Sequence, residues 1–140
     1  MKILAAVDGS PYTKRMLAYL AAHDEWLGAH HEYTLLHAVP AVPARAAAAL
    51  DRQTLKSYYE DEAEKVFRPI RSFFNKQGLK AGFVGKPGSA AEQIAAAADK
   101  GGFDLVILGS HGHGSLSNLV LGSVATKVLA KCRTPVLLVR

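Results

Sequence analysis

Residues 109–123, GSHGHGSLSNLVLGS, concentrate four glycines and two histidines in fifteen positions. The segment follows the apolar run FDLVIL and precedes the helical pattern VATKVLAKC. Three interpretations fit such a composition: a phosphate cradle made of backbone N–H groups, a metal site on the two histidines, or a glycine-rich loop that binds nothing. These interpretations can be distinguished by the spacing of the residues and by the predicted strand and helix on either side of the segment.

Neither of the common nucleotide-binding fingerprints is present in this segment. The dinucleotide pattern G-x-G-x-x-G starts at Gly112 but meets Ser117 at its last position, and the P-loop pattern is absent. A helix that begins at Gly122 and Ser123 would still offer backbone N–H groups and a positive dipole end to an anion. Three glycines would let the backbone approach a phosphate without a side-chain clash: Gly109, Gly112 and Gly122. The spacing alone leaves the phosphate cradle and the purely structural loop equally open.

Metal binding and nucleophilic catalysis find less support in the sequence. A metal site needs three or four ligands, and no cysteine or carboxylate lies close to His111 and His113 along the chain. The serines at positions 10, 110 and 123 lack a base and an orienting acid at a recognisable spacing. We therefore predict no metal ligand and no catalytic residue, and we expect both histidines to line a crevice or to face solvent.

Strand and helix patterns alternate along the whole chain. Asp8 closes the first apolar run, and His37 lies inside the second, where we interpret it as a buried, hydrogen-bonded structural histidine. Residues 40–50 are interpreted as a loop that passes into a helix. The predicted strands are 2–7, 32–39, 79–85, 103–108 and 134–140, and the predicted helices cover about 11–27, 51–76, 89–101 and 123–132.

This alternation predicts an α/β fold, an open, doubly wound five-stranded parallel sheet of Rossmann-like type with four helices and strand order 3-2-1-4-5. The first, fourth and fifth strands are almost wholly apolar, as expected when helices cover both faces of the sheet. Ligands of such sheets bind at the carboxyl ends of the strands, where the strand order reverses. Asp8 and the segment 109–123 would then face one crevice. We expect a single domain over residues 1–140.

Composition narrows the classes of partner. The 140 residues carry a formal net charge of +5, but lysine and arginine are scattered, and no basic stripe or recognition motif indicates nucleic-acid binding. Cys132 is the only cysteine, which excludes an intramolecular disulfide. No apolar run has the length of a membrane span or of a signal-peptide core, so we expect a cytoplasmic protein with no membrane partner.

Four stretches of the chain resemble the universal stress protein family, the UspA-like domain. They are ILAAVDGSPYTKRML, LLHAV, GKPGSAAEQI and DLVILGSHGHGSLSNLVLGSVATKVLAKCRTPVLLV, and the match covers essentially the whole chain. The most specific piece is the ATP-binding pattern of the family, G-2x-G-9x-G-(S/T), which Gly109, Gly112, Gly122 and Ser123 satisfy. The resemblance implies a stress-response protein that binds ATP, with any Mg²⁺ held by the phosphates. Gly114 is an additional glycine that would make the outer loop more mobile.

The resemblance also implies where the nucleotide lies. The phosphates would meet Gly112, Gly122 and the first turn of the following helix. The ribose would lie at the end of the fourth strand, and the ends of the first two strands would hold the adenosine side. Ala38 stands where the family often has valine, and His111 stands where relatives carry histidine or arginine. The implied binding residues are Ala6, Val7, Asp8, Ala38, Leu108, Gly109, His111, Gly112, Gly122, Ser123, Val124 and Ala125.

Assembly and activity follow from the same resemblance. It implies a homodimer that pairs through the last strand, residues 135–140, and an apolar edge strand independently favours a partner. Removal of residues 136–140 should then leave a monomer or an aggregate. Because no dedicated base or arginine finger is recognisable, we expect at most slow ATP hydrolysis. Two alternatives stay open: a dimerisation module that does not use nucleotide, and an adenylate-forming enzyme, for which the chain has no substrate domain.

Overall fold

The computed structural model of the chain describes residues 1–114, 118 and 120–140. In chain order the elements are β1 (Lys2–Ala6), α1 (Pro11–Ala22), α2 (Asp24–Leu27), β2 (Glu32–Val39), α3 (Ala44–Ala48), α4 (Arg52–Lys76), β3 (Ala81–Pro87), α5 (Ala90–Gly101), β4 (Leu105–Gly109), α6 (Ser123–Lys131) and β5 (Val136–Val139). The strands form one sheet in the order β3-β2-β1-β4-β5, and every neighbouring pair is parallel. The predicted fold class and strand order are confirmed.

The predicted number of four helices is wrong, because the described residues form six. The first helix was expected to continue to Leu27, but α1 ends at Ala22. His23 Nδ1 binds the Tyr19 carbonyl at 2.9 Å, and the His23 N–H bonds the Leu20 carbonyl instead. The imidazole thus competes with the backbone N–H of its own residue for the carbonyl four residues back, and a side chain that does so favours the end of an α-helix. The apolar stripe then resumes in α2, a separate short helix.

The sixth helix comes from the proline- and alanine-rich segment before α4. Pro43 precedes α3 and accepts a hydrogen bond from the Ala47 N–H at 2.9 Å. The chain then restarts at Asp51, whose side-chain oxygen accepts the Thr54 N–H at 2.7 Å and so caps α4. The sequence predicts one loop that leads into one helix. The proline before α3 and the acidic cap at Asp51 instead give two separate helices, α3 and α4.

Strand β3 starts two residues later than predicted because the end of α4 uses those residues. The Leu79 N–H bonds the Phe74 carbonyl at 2.9 Å, and the Gly78 N–H bonds the Asn75 carbonyl at 3.2 Å. Gly78 has a φ of 67°, in the left-handed region. These two bonds and this conformation form a Schellman motif, so Leu79 belongs to the helix terminus rather than to the strand.

Two apolar cores lie on opposite faces of the sheet. Ile3 and Leu35 face one layer, which contains α1, α2 and α4, and both are fully buried. Leu4 and Val106 face the other layer, which contains α5 and α6, and both are also fully buried. Alternate residues of one strand thus serve opposite cores, as the apolar runs of parallel strands require.

The connections place the carboxyl ends of β1 and β4 beside each other at the centre of the sheet. Ala6 pairs with Leu108 at the last register position of the two strands. From β1 the chain crosses to β2 on one side, and from β4 it crosses to β5 on the other. The crevice between these two ends is the switch point of the fold. Within the described residues, no helix combines the length and the apolar character needed to cross a bilayer.

Candidate functional site

A cavity of about 410 Å³ opens at the carboxyl ends of β1, β2 and β4. This volume is within the range of small-molecule sites in proteins. All twelve residues that the sequence analysis names line this one cavity: Ala6, Val7, Asp8, Ala38, Leu108, Gly109, His111, Gly112, Gly122, Ser123, Val124 and Ala125. The structure therefore brings together residues from four separate parts of the chain.

Asp8 lies where β1 turns into α1, and its carboxylate is held by that turn. Oδ1 accepts hydrogen bonds from the Ser10 N–H at 2.9 Å and from the Thr13 hydroxyl at 3.0 Å, while the Asp8 N–H donates to the same hydroxyl oxygen at 3.1 Å. Burial alone would raise the pKa of Asp8, but the hydrogen bonds from Ser10 and Thr13 and the charge of His113 outweigh burial and lower the pKa below its ordinary value of 3.8. Asp8 is therefore a fixed anion on the cavity wall.

The lowered pKa of Asp8 predicts a stability effect at acid pH. Because the folded chain binds this proton less readily than the unfolded chain, the contribution of Asp8 is present above the unfolded-state pKa and is lost as the pH falls through the folded-state value. In urea unfolding, the wild type should lose more of its free energy of unfolding between about pH 5 and pH 3 than the Asp8→Asn variant, whose amide keeps an acceptor but does not titrate. Equal losses in both proteins would contradict this assignment.

The start of the β4–α6 loop packs directly on Asp8. A β-carbon at Gly112 would lie 2.5 Å from Asp8 Oδ2, which is closer than non-bonded atoms approach. His113 Nε2 donates a hydrogen bond to the Asp8 carbonyl oxygen at 2.8 Å. His113 was expected to line a crevice or to face solvent and was not placed among the binding residues, because a contact across 105 positions of the chain has no signal in a single sequence. The two loops that flank the switch point are thus joined at Asp8.

The other two glycines of the motif are required by contacts within the protein. A β-carbon at Gly109 would lie 2.7 Å from the β-carbon of Tyr12, and one at Gly122 would lie 3.1 Å from both the Ser110 carbonyl oxygen and the α-carbon of His111. The Gly122 N–H donates to the Ser110 carbonyl at 2.7 Å, so it is directed into the loop. Within the protein, these glycines leave room for neighbouring backbone and side chains, and the expectation that they also leave room for a phosphate stays a prediction.

The first turn of α6 supplies the donors suited to an anion. The first N–H to bond within the helix is that of Thr126, which donates to the Gly122 carbonyl at 3.1 Å. The N–H groups of Ser123, Val124 and Ala125 precede it, at the positive end of the helix dipole. Because these three residues line the cavity, a helix N-terminus faces the switch point of the sheet.

His37 lines the cavity rather than lying buried in the core. Its Nδ1 donates to the Val7 carbonyl at 2.8 Å, and its ring stands edge-on to Phe67. The predicted hydrogen bond is present, but the ring is only half-buried because β2 ends at the crevice. Further lining residues that the sequence analysis did not assign to the site are Thr13, Leu36, Ala90, Ile94 and Gly114, of which Ala90 and Ile94 had a signal in the apolar stripe of α5.

The two loop histidines have different partners. His111 Nδ1 lies 2.9 Å from the Ser110 hydroxyl, and the His111 ring lies 5.0 Å from the Tyr12 ring, whereas His113 reaches Asp8. Among residues 1–114, 118 and 120–140, no three His, Cys, Asp or Glu side chains come together in a group that could hold a metal ion. Gly114 has a φ of 66°, which favours glycine. We expect the span 113–121 to fold over the phosphates, and this span includes residues 115–117 and 119, which lie outside the described residues.

Comparison with known proteins identifies relatives over the full length. The model of the universal stress protein family matches residues 1–140. A universal stress protein of Thermus aquaticus is 35% identical over 138 residues, which are 99% of this chain and 97% of that protein. The solved structure of the protein MJ0577, a universal stress protein of Methanocaldococcus jannaschii, superposes with a TM-score of 0.80 at 31% identity and covers 99% of this chain and 94% of that one.

Two more distant structures of the same fold contain nucleotides. The universal stress protein of Archaeoglobus fulgidus in complex with dAMP has a TM-score of 0.69 at 20% identity and covers 100% of this chain and 98% of that one. A universal stress protein in complex with cAMP has a TM-score of 0.67 at 18% identity and covers 100% of this chain and 96% of that one. At these identities the likeness shows the shared fold. With the full-length family match and the close relative from Thermus, the comparisons show that the chain belongs to the universal stress protein family.

Proposed function

We propose that this chain binds an adenine nucleotide, AMP or ATP, in the cavity between β1 and β4 and acts in stress response as a nucleotide-dependent homodimer. The observation that carries the proposal is that Gly109, Gly112, Gly122 and Ser123, fourteen positions apart at most, line one cavity together with the rest of the first turn of α6. Related folds that contain dAMP and cAMP support an adenine nucleotide as the ligand class.

The phosphate side of the proposed site is the N-terminus of α6. The N–H groups of Ser123, Val124 and Ala125 would donate to phosphate oxygens, and the exposed Ser123 side chain would add a hydroxyl donor. A phosphate in this position replaces the water that otherwise satisfies these backbone groups. The Gly122 N–H is not part of this set, because the Ser110 carbonyl accepts it.

The adenosine side of the proposed site is the end of β1 and β2. Val7, Leu36 and Ala38 line the cavity there, and Ile94 approaches from α5. These apolar side chains would pack on the base and exclude water from it. Asp8 would hold the ribose or the base edge through Oδ2, because Oδ1 already accepts two hydrogen bonds from the turn.

The charge of the site bears on which nucleotide binds and on hydrolysis. Between Gly109 and Thr126 the sequence contains no lysine or arginine, and the described cavity lining contains none either. A triphosphate would therefore need Mg²⁺, held by its own oxygens, to offset its charge. Asp8 is the sole carboxylate of the described lining and is committed to the turn, so we propose at most slow hydrolysis.

Calorimetric titration of the wild type tests the proposed ligand class. AMP, ATP and ATP with Mg²⁺ should each give saturable binding at one site per chain, and ATP should bind more tightly with Mg²⁺ than without it. Inorganic phosphate, which lacks the adenosine, serves as the matched control and should bind far more weakly. Mass spectrometry of ligand released from the purified, denatured protein gives a second readout. Absence of heat with all three nucleotides, in protein shown to be free of retained ligand, would reject the proposal.

A dimerisation module that does not use nucleotide is the second candidate function. The observation in its favour is β5, a sheet-edge strand with the apolar sequence VLLV. Edge strands of this kind pair with another chain unless they are protected. This candidate predicts a dimer whose stability is the same with and without AMP, whereas the nucleotide-dependent function predicts that a nucleotide changes it.

A further inference from the structure

His113 forms the link between the two loops that enclose the cavity. Its Nε2 donates to the Asp8 carbonyl at 2.8 Å, and the adjacent Gly112 packs its α-carbon against the Asp8 carboxylate. Asp8 is itself fixed by Ser10 and Thr13 at the start of α1. Asp8 therefore connects the start of α1 to the β4–α6 loop. His113 contributes the hydrogen bond of this connection.

The charge of the cavity depends on histidine protonation. The described lining carries one carboxylate, Asp8, and three imidazoles, His37, His111 and His113, with no lysine or arginine. The Arg15 guanidinium lies over the Tyr12 ring, 4.8 Å from its centroid, and the Tyr12 ring contacts His111. This cation is therefore stacked on an aromatic ring beside the cavity wall. With three neutral imidazoles the described lining carries only the negative charge of Asp8, and each imidazole that gained a proton would add one positive charge.

Protonation of His113 would leave its contact with Asp8 intact. Because Nε2 is the donor to the Asp8 carbonyl, the additional proton would enter at Nδ1. The resulting imidazolium strengthens a hydrogen bond to the same acceptor and places a positive charge beside both the Asp8 carboxylate and the cavity. Protonation would therefore strengthen both the attachment of the β4–α6 loop to Asp8 and the attraction of the cavity for an anion.

We propose that His113 is a positioning residue of the nucleotide site, which holds the β4–α6 loop on Asp8 and strengthens nucleotide binding when it is protonated. This inference rests on the proposed nucleotide function. It predicts a site whose affinity rises as the pH falls from 8 to 6. His37 and His111 line the same cavity, so the part due to His113 must be taken from the difference between the wild type and a variant.

The experiment measures the dissociation constant of cAMP between pH 8 and pH 6 by calorimetry. A phosphodiester keeps a single negative charge over this range, whereas a phosphate monoester changes its charge near pH 6. The His113→Gln variant places an amide N–H where Nε2 lies but does not titrate. The His113→Leu variant has neither donor nor charge. Circular dichroism and urea unfolding confirm that both variants, changed at an exposed side chain, remain folded.

The ratio of the wild-type affinity for cAMP to that of His113→Gln should be about 2- to 5-fold larger at pH 6 than at pH 8, as expected for one added exposed charge. At pH 8, His113→Gln should match the wild type, and His113→Leu should bind about 3- to 10-fold more weakly for the lost hydrogen bond. If the protein binds AMP but not cAMP, the same affinity ratio is measured with AMP. The ionisation of the AMP phosphate affects both proteins equally and therefore cancels from the ratio at each pH.

Two results would overturn the inference alone: the same pH dependence in wild type and His113→Gln, or equal affinity of wild type and His113→Leu at pH 8. A wild type that binds neither cAMP nor AMP at any pH would overturn the proposed function and this inference with it. The two failures are therefore distinguishable, since the first leaves nucleotide binding in place.

Discussion

The Gly122→Val variant is expected to bind AMP roughly 100-fold more weakly than the wild type, which corresponds to the upper end of the cost of overpacking a site. Even a single β-carbon at this position lies 3.1 Å from the Ser110 carbonyl oxygen and from the His111 α-carbon, and both of those atoms are backbone. The branched valine side chain adds two methyl groups to that space. Relief requires the loop or the start of α6 to move, and α6 carries the N–H groups of Ser123, Val124 and Ala125.

A matched control for this variant is Gly82→Val. Gly82 lies in β3, far along the sheet from β4, and a β-carbon there has no heavy atom within 4 Å. Valine suits an extended strand, so the control should retain both the fold and the wild-type affinity for AMP. Binding is measured by calorimetry, and far-ultraviolet circular dichroism verifies the fold of each variant. Wild-type affinity in a folded Gly122→Val protein would show that the nucleotide, if bound, does not use the α6 N-terminus.

The sheet could be predicted from the sequence because its signals are local. The apolar runs around Leu4, Leu35 and Val106 are long enough to be buried on both faces, and the helical stripes between them require crossovers. Right-handed crossovers favour the order β3-β2-β1-β4-β5 if the first strand is central, and the structure has this order. The predicted number of helices was wrong partly because of one side chain. The imidazole of His23 binds the Tyr19 carbonyl at the end of α1, where the sequence predicts that the helix continues.

The candidate site was predictable to a different degree in its two halves. The motif glycines and Ser123 have a fixed spacing, so the sequence alone assigns them to one loop. The reason for those glycines was not predictable, because it depends on Tyr12, Ser110 and Asp8, which approach only in the folded chain. His113 was expected only to line a crevice or to face solvent, and its bond to the Asp8 carbonyl is made across 105 positions of the chain. Leu36 lines the cavity at the end of β2, where its own sequence neighbourhood indicates only a buried strand.

The edge strand β5 leads to a second prediction of large effect, the loss of the proposed homodimer in Leu138→Pro. The Val106 N–H donates to the Pro135 carbonyl and the Ser110 N–H donates to the Val139 carbonyl, so residues 135 and 139 direct their backbone groups toward β4. Backbone direction alternates along a strand, and the N–H of Leu138 therefore points to the open edge. Proline removes that N–H without removing a bond to β4. Light scattering after size exclusion should show a dimer for the wild type and a monomer for the variant.

The variant is sharper than removal of residues 136–140, because such a truncation also deletes Val139, which is 7% exposed and part of the core. Leu138 packs against the core formed with α5 and α6, so Leu138→Ala is the matched control: it loses the same side-chain packing but keeps the N–H. If edge pairing through β5 joins the two copies, Leu138→Ala stays dimeric over the concentration range in which Leu138→Pro is monomeric. A folded Leu138→Pro protein that remains dimeric would place the interface elsewhere, because edge pairing through β5 would use the Leu138 N–H that proline removes.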